Sequence, residues 1–145
     1  ENGSIFCVTA PNNNDAATST ITISITDNRE PVELTTEHEF NITVVANVAP
    51  TFTNLDNLAS SMSINDESYE FDIDHSDLDE NQVTYQLRVD TYLSTQLSWV
   101  NLNSTTGELE INPTQNNIGS HELVFTISDG CLSTEEEKSF TILGN

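Results

Sequence analysis

The sequence predicts an all-β fold of antiparallel sandwich type, and three observations carry that expectation. Apolar and polar residues alternate with a period of two in short runs. Clusters of Asn, Asp, Ser and Gly separate the runs, and no segment sustains helical spacing. Part of the pattern also occurs twice, which points to tandem units.

Taken in order, Ile21, Ile23 and Ile25 alternate with Thr22, Ser24 and Thr26, and Phe40, Ile42 and Val44 alternate with Asn41 and Thr43. Each run is a strand with one apolar side. Tyr69, Phe71 and Ile73 alternate with Glu70, Asp72 and Asp74, and Val83, Tyr85, Leu87 and Val89 form a longer series. Leu109 with Ile111, then Leu123, Phe125 and Ile127, then Phe140 with Ile142 complete the set. Trp99 belongs to the core between the sheets, with Val100, Leu102 and the Tyr85 strand around it. Turns are expected around Asn12–Asp15, Asn54–Asn57, Asp77–Asn81, Asn103–Gly107, Asn116–Asn117 and Asp129–Gly130, where short polar side chains bond their own backbone.

The repetition fixes the domain plan. Pro11 to Asp27 matches Pro113 to Asp129 at a constant offset of 102 (129 − 27), and Glu37 to Ile42 matches Glu137 to Ile142 at 100 (140 − 40). Residues 1–48 therefore read as the back half of one sandwich and 49–145 as a complete one. The boundary falls at Val48-Ala49-Pro50, because proline fixes its own φ and holds the preceding residue extended. A few strands cannot cover their own apolar face. The leading half is thus completed either by upstream sequence or by a neighbouring subunit. If the 145 residues are the whole chain, completion by a neighbour builds a filament.

Composition narrows the partners. Three Lys and Arg against 24 Asp and Glu give a formal charge of −21, which repels nucleic acid and anionic membranes. A chain adapted to high salt would show the same excess. No apolar run is long enough for a membrane-spanning helix, and Glu1-Asn2-Gly3 does not open a secretory leader. The chain is therefore expected to be a mature or internal segment. No nucleophile elbow, phosphate loop, zinc spacing or basic cluster is present, so an independent enzyme is not expected.

Several blocks follow one another in a telling order: Phe71-Asp-Ile-Asp, Asp77-Leu-Asp79, Val83-Thr-Tyr85, Trp99-Val-Asn-Leu102, Thr105-Thr-Gly107-Glu-Leu109, Pro113-Thr114, Gly119, and Leu123 to Asp129-Gly130. That order resembles the cadherin-like repeats of the dystroglycan type and related immunoglobulin-like surface domains, over 50–143 and in part over 3–45. Asn47-Val-Ala-Pro50 resembles the end of the cadherin calcium linker without its aspartates, and Leu78 replaces the glycine usual between the two aspartates. The resemblance implies an extracellular immunoglobulin-like sandwich used in tandem for adhesion or as a spacer.

Three groups of residues are candidate sites. Asp72, Asp74, Asp77 and Asp79, joined by Asp129 from the same end of a sandwich, form the candidate calcium site, since calcium takes six to eight oxygens. The competing reading is a solvated acidic loop that guards a strand edge. Asn2, Asn41 and Asn103 each head an Asn-x-Ser/Thr sequon for covalent glycans. Cys7 and Cys131 occupy non-equivalent places in the repeat, so a disulfide would join adjacent units or subunits; two separate thiols are the alternative. His75, His38 and His121 read as isolated surface residues. The function expected is a structural and adhesive extracellular repeat that stacks with copies of itself into a fibre, stalk or surface layer. A calcium-dependent adhesion or carbohydrate-binding module and an accessory domain of a secreted enzyme are the rivals.

Overall fold

The computed structural model describes residues 17–27, 30, 32 and 34–144. The chain divides into two compact units, Val8–Ala46 and a larger one that contains Asn47–Asn145.

The smaller unit contributes an antiparallel pair, β1 (Ala17–Thr26) and β2 (Thr35–Val44), with Ile21 opposite Phe40 and Thr26 opposite Thr35. Period-two alternation sorts the side chains cleanly. One face carries a cross-strand ladder: Thr18 with Thr43 at 2.9 Å, Thr20 donating to Asn41 at 2.8 Å, and Thr26 with Thr35 at 2.8 Å. The other face carries Ile21, Ile23, Ile25, Phe40, Ile42 and Val44, and every one of these is at least 38% exposed.

The larger unit runs β3 (Thr51–Phe52), β4 (Ser61–Ser63), β5 (Tyr69–Asp72), β6 (His75–Ser76), β7 (Thr84–Val89), β8 (Tyr92–Leu93), β9 (Val100–Leu102), β10 (Glu108–Ile111), β11 (Gly119–Ser128) and β12 (Ser133–Leu143). Two sheets, ordered β5-β10-β9 and β4-β12-β11-β7-β8, make the sandwich, and β3 pairs with β6. Every pairing is antiparallel except β4 with β12. The alternating apolar series all point inward: Leu87, Leu109, Ile111, Leu123, Phe125, Ile127, Phe140 and Ile142 are no more than 2% exposed. Burying each such side chain contributes about 1.5–3 kcal/mol. Trp99 and Tyr85 belong to the same core, as expected.

Gly107 fixes how the β9–β10 turn meets the core. Its φ is +82°, and a Cβ there would stand 2.8 Å from the Ile73 carbonyl and 3.0 Å from the Tyr85 ring. Only glycine combines that backbone with that proximity. The same carbonyl accepts from the Tyr85 hydroxyl at 3.3 Å, and His75 Nδ1 lies 2.6 Å from that hydroxyl, so His75 is a partnered residue.

His121 is also partnered, against expectation. Its Nδ1 lies 2.9 Å from Asp90 Oδ2 and its Nε2 lies 2.8 Å from the Asn117 carbonyl. Both partners only accept, so the geometry favours the doubly protonated ring. Trp99 lies 5.0 Å away, centroid to centroid, where its π face stabilises a cation. Burial alone would depress the His121 pKa, but the bonds to Asp90 and to the Asn117 carbonyl, with the Asp90 charge, lift it above its ordinary 6.5. Burial pushes Asp90 upward, yet the Glu122 N–H and His121 hold it below its ordinary 3.8. The His121 contribution to stability is therefore whole below pH 6.5 and is lost as pH rises through its raised value. That of Asp90 is whole above 3.8 and lost as pH falls through its lowered value. Melting temperature should accordingly fall as pH rises from 6.5 through the raised His121 value, and His121→Gln should flatten that limb. Parallel profiles for the two proteins would contradict the imidazolium assignment.

Candidate functional site

The segment leading into the larger unit supplies the side chains that organise its linker end. The Asn47 amide donates to Asp129 Oδ2 at 2.7 Å, and the Asn81 amide donates to Asn47 Oδ1 at 3.1 Å. The Val48 N–H donates to Asp79 Oδ2 at 2.6 Å. Asp77 Oδ1 accepts from the N–H groups of Asp79 at 2.8 Å and Asn81 at 3.3 Å, which closes the turn in which Glu80 takes a φ of 56°. Asp129 is buried, and its Oδ1 accepts from the N–H groups of Cys131 at 2.6 Å and Leu132 at 2.7 Å. Burial raises the Asp129 pKa, but the Leu132 N–H, the Asn47 amide and the Cys131 N–H outweigh it and hold the group below the usual carboxylate range. Asp129 and Asp77 are thus linked through Asn47 and Asn81, and Asp79 is held by the Val48 N–H.

Asp72 and Asp74 follow a different partner. β5 ends at Asp72, so the two acids do not share one strand. The Asn54 amide donates to the Asp72 carbonyl at 2.7 Å and to Asp74 Oδ2 at 3.1 Å, and the Asp74 N–H returns a bond to Asn54 Oδ1 at 2.9 Å. Asn54 thereby spans the break between β5 and β6.

The donor set around Asn47 suits calcium in kind. It is all oxygen: the carboxylates of Asp77, Asp79 and Asp129 with the amide oxygens of Asn47 and Asn81. Asp77 Oδ2 is buried, and no hydrogen-bond partner reaches it among the described residues. An orphaned buried acceptor costs about 1–3 kcal/mol unless something satisfies it, and a cation is one such partner. In the geometry present, no three acidic, histidine or cysteine groups among the described residues stand together as a metal cage. Hydrogen bonds to N–H groups and amides occupy those carboxylates instead.

The sequence singled out the acids and missed Asn47, Asn54 and Asn81. A signal was available only for Asn81, which lies in the same turn cluster as the Asp77 that its N–H binds; Asn47 and Asn54 bind aspartates far away in sequence. Of the remaining candidates, Cys131 is disulfide-bonded, while Cys7 and Asn2 lie outside the described residues. Asn41 is on the polar face of β2 and Asn103 opens the β9–β10 turn; both are exposed.

With this geometry in place, comparison with solved structures defines the fold class: a cadherin-like β-sandwich. Drosophila N-cadherin EC1-4 matches with a TM-score of 0.53 and 13% identity, over 88% of this chain and 33% of that one. Human protocadherin-24 EC1-2 matches with a TM-score of 0.48 and 18% identity, over 67% of this chain and 45% of that one. An endo-fucoidan hydrolase of glycoside hydrolase family 107 matches at 0.45 and 17% identity, over 90% of this chain and 19% of that one. The chain thus spans a third of the N-cadherin structure, and identities this low speak for fold alone. No protein-family model and no curated protein sequence matches.

Asn47→Ala removes the amide that joins Asp129 to Asn81. A loss of about 1–3 kcal/mol in unfolding free energy is expected, because a buried carboxylate loses a donor. Urea denaturation measures it; an unchanged midpoint would show that the linker end does not depend on Asn47.

Proposed function

We propose that the chain is an extracellular structural and adhesive repeat, without catalytic activity of its own, that stacks end to end into a fibre, stalk or surface layer. One observation carries this reading: the apolar face of β1 and β2 is bare, while the matching face of β11 and β12 lies buried under β5, β10 and β9. A two-stranded hairpin with one bare apolar face is marginal alone. Strands from another copy complete it, in the manner of strand complementation. The disulfide at Cys131 supports an oxidising, extracytoplasmic setting. The fold shared with N-cadherin EC1-4 agrees with a modular role.

Sedimentation of the full chain tests this. Association should grow with concentration, and Ile23→Glu on the bare face should abolish it while Thr22→Glu on the opposite face should not. A wild-type chain that stays monomeric at high concentration would exclude completion by a second copy.

The buried, unpartnered Asp77 Oδ2 favours a second reading, in which calcium at the linker end makes adhesion calcium-dependent. Asp77, Asp79 and Asp129, with the amide oxygens of Asn47 and Asn81, would hold the ion, which would supply positive charge to the acidic end. Calcium should then raise the melting temperature, chelator should reverse the gain, and Asp77→Asn should remove it. Identical melting with calcium and with chelator would dismiss this reading.

A further inference from the structure

We infer that Asn103 is an acceptor for an N-linked glycan, and that it is modified in preference to Asn41. The inference rests on the proposed passage of the chain through a secretory route. The two sequons present different chemistry. Asn103 is exposed at the start of the tight turn between β9 and β10. Its Oδ1 accepts the N–H of Thr105 at 3.0 Å and of Thr106 at 3.2 Å, and its carbonyl accepts the Gly107 N–H at 2.9 Å. These bonds orient the carboxamide through its oxygen, and Nδ2 makes no hydrogen bond to a described residue. Thr105, the third residue of the sequon, is also exposed, and its hydroxyl bonds to no described residue. The turn is tied to the rest of the sandwich through backbone carbonyls, Ser104 to the Tyr85 N–H at 2.9 Å and Gly107 to the Ile73 N–H at 3.1 Å, and not through the side chains of Asn103 and Thr105.

Asn41 lies in the middle of a ten-residue strand. Its Oδ1 accepts the Thr20 hydroxyl at 2.8 Å, and the hydroxyl of Thr43, the third residue of its sequon, pairs with Thr18 at 2.9 Å. Both groups that a transferase must engage are tied across the sheet. Freeing them means opening long-range pairing.

The transfer needs an oligosaccharide activated as a polyprenyl pyrophosphate. Asn103 Nδ2 attacks the anomeric carbon, the nitrogen–carbon bond forms, and the bond from that carbon to the pyrophosphate oxygen breaks. The polyprenyl pyrophosphate leaves with the electron pair, Nδ2 gives up one proton to a base of the transferase, and nothing is oxidised or reduced.

The test expresses residues 1–145 behind a cleavable secretion leader in a eukaryotic cell and maps the secreted protein by peptide mass, before and after an amidase that converts glycosylated Asn to Asp. Asn103 should be occupied, with occupancy above that of Asn41. Thr105→Ala should abolish it while leaving secretion and melting temperature unchanged, since that side chain holds no part of the fold. A secreted, folded chain with unmodified Asn103, or with Asn41 the more occupied site, would overturn the inference. The sedimentation result bears only on stacking, so the two readings fail separately.

Discussion

A strand pair that is apolar on one side must have a second layer, and the rest of this molecule follows from that constraint. In the larger unit the layer exists. β11 and β12 press Leu123, Phe125, Ile127, Phe140 and Ile142 against Leu109 and Ile111, and the cluster excludes water almost completely. The smaller unit has the same alternation, but among the described residues no second layer covers it. Its strands are joined by ladder bonds and by the threonine hydroxyls of the polar face, whose net contribution is about 1 kcal/mol or less each in water. Hydroxyl pairs register the strands; they do not replace a core.

Charge sets the second constraint. Three basic residues cannot neutralise 24 acids. Arg88 lies 3.6 Å from Glu135, and Lys138 holds Asp56 at 2.7 Å with Glu136 at 3.5 Å. Such exposed pairs are screened by water and contribute little. Most acids are left to water, and at two of them asparagines provide neutral donors. Asn47 and Asn54 each place an amide against a carboxylate, of Asp129 and Asp74, where another protein would place a lysine or arginine. Backbone N–H groups at Asp129 and Asp77 serve the same end.

Much of the sandwich was legible in the sequence, because a period of two is local and reports which side of a strand is covered. Every inward series in the larger unit was readable that way. What the period could not report is whether a cover exists: Ile23 and Phe125 look alike in sequence, yet one is half exposed and the other buried. Pairing also refines the internal match. Thr26 faces Thr35 and Ser128 faces Ser133, which places β2 against β12 at an offset of 98 (133 − 35) where sequence matching gives 100. A slip of two leaves every side chain on its face, so alternation alone cannot detect it. The candidate site was harder to read for a related reason. Aspartates are conspicuous in any acidic chain, but which of them meet depends on Asn47 and Asn54, whose reach spans 82 and 20 residues respectively.

The exposed apolar face of β1 and β2 is also distinguished by its charge. In a chain of formal charge −21, a random ten-residue strand pair should show carboxylates on both sides. On β1 and β2 both acids, Glu37 and Glu39, stand on the threonine face, in register with Ser24 and Thr22. The opposite face holds isoleucine, phenylalanine and valine with Ser19, Thr36 and His38, and no carboxylate. Copies this acidic repel one another, and at physiological salt that repulsion decays over about 8 Å. Contact is consequently favourable only where a patch larger than that distance is free of charge. Ten residues of strand, at about 3.3 Å each, give a patch several times that length. The same face is therefore the side of the described hairpin where burial would carry no carboxylate desolvation cost, since Glu37 and Glu39 both stand on the other.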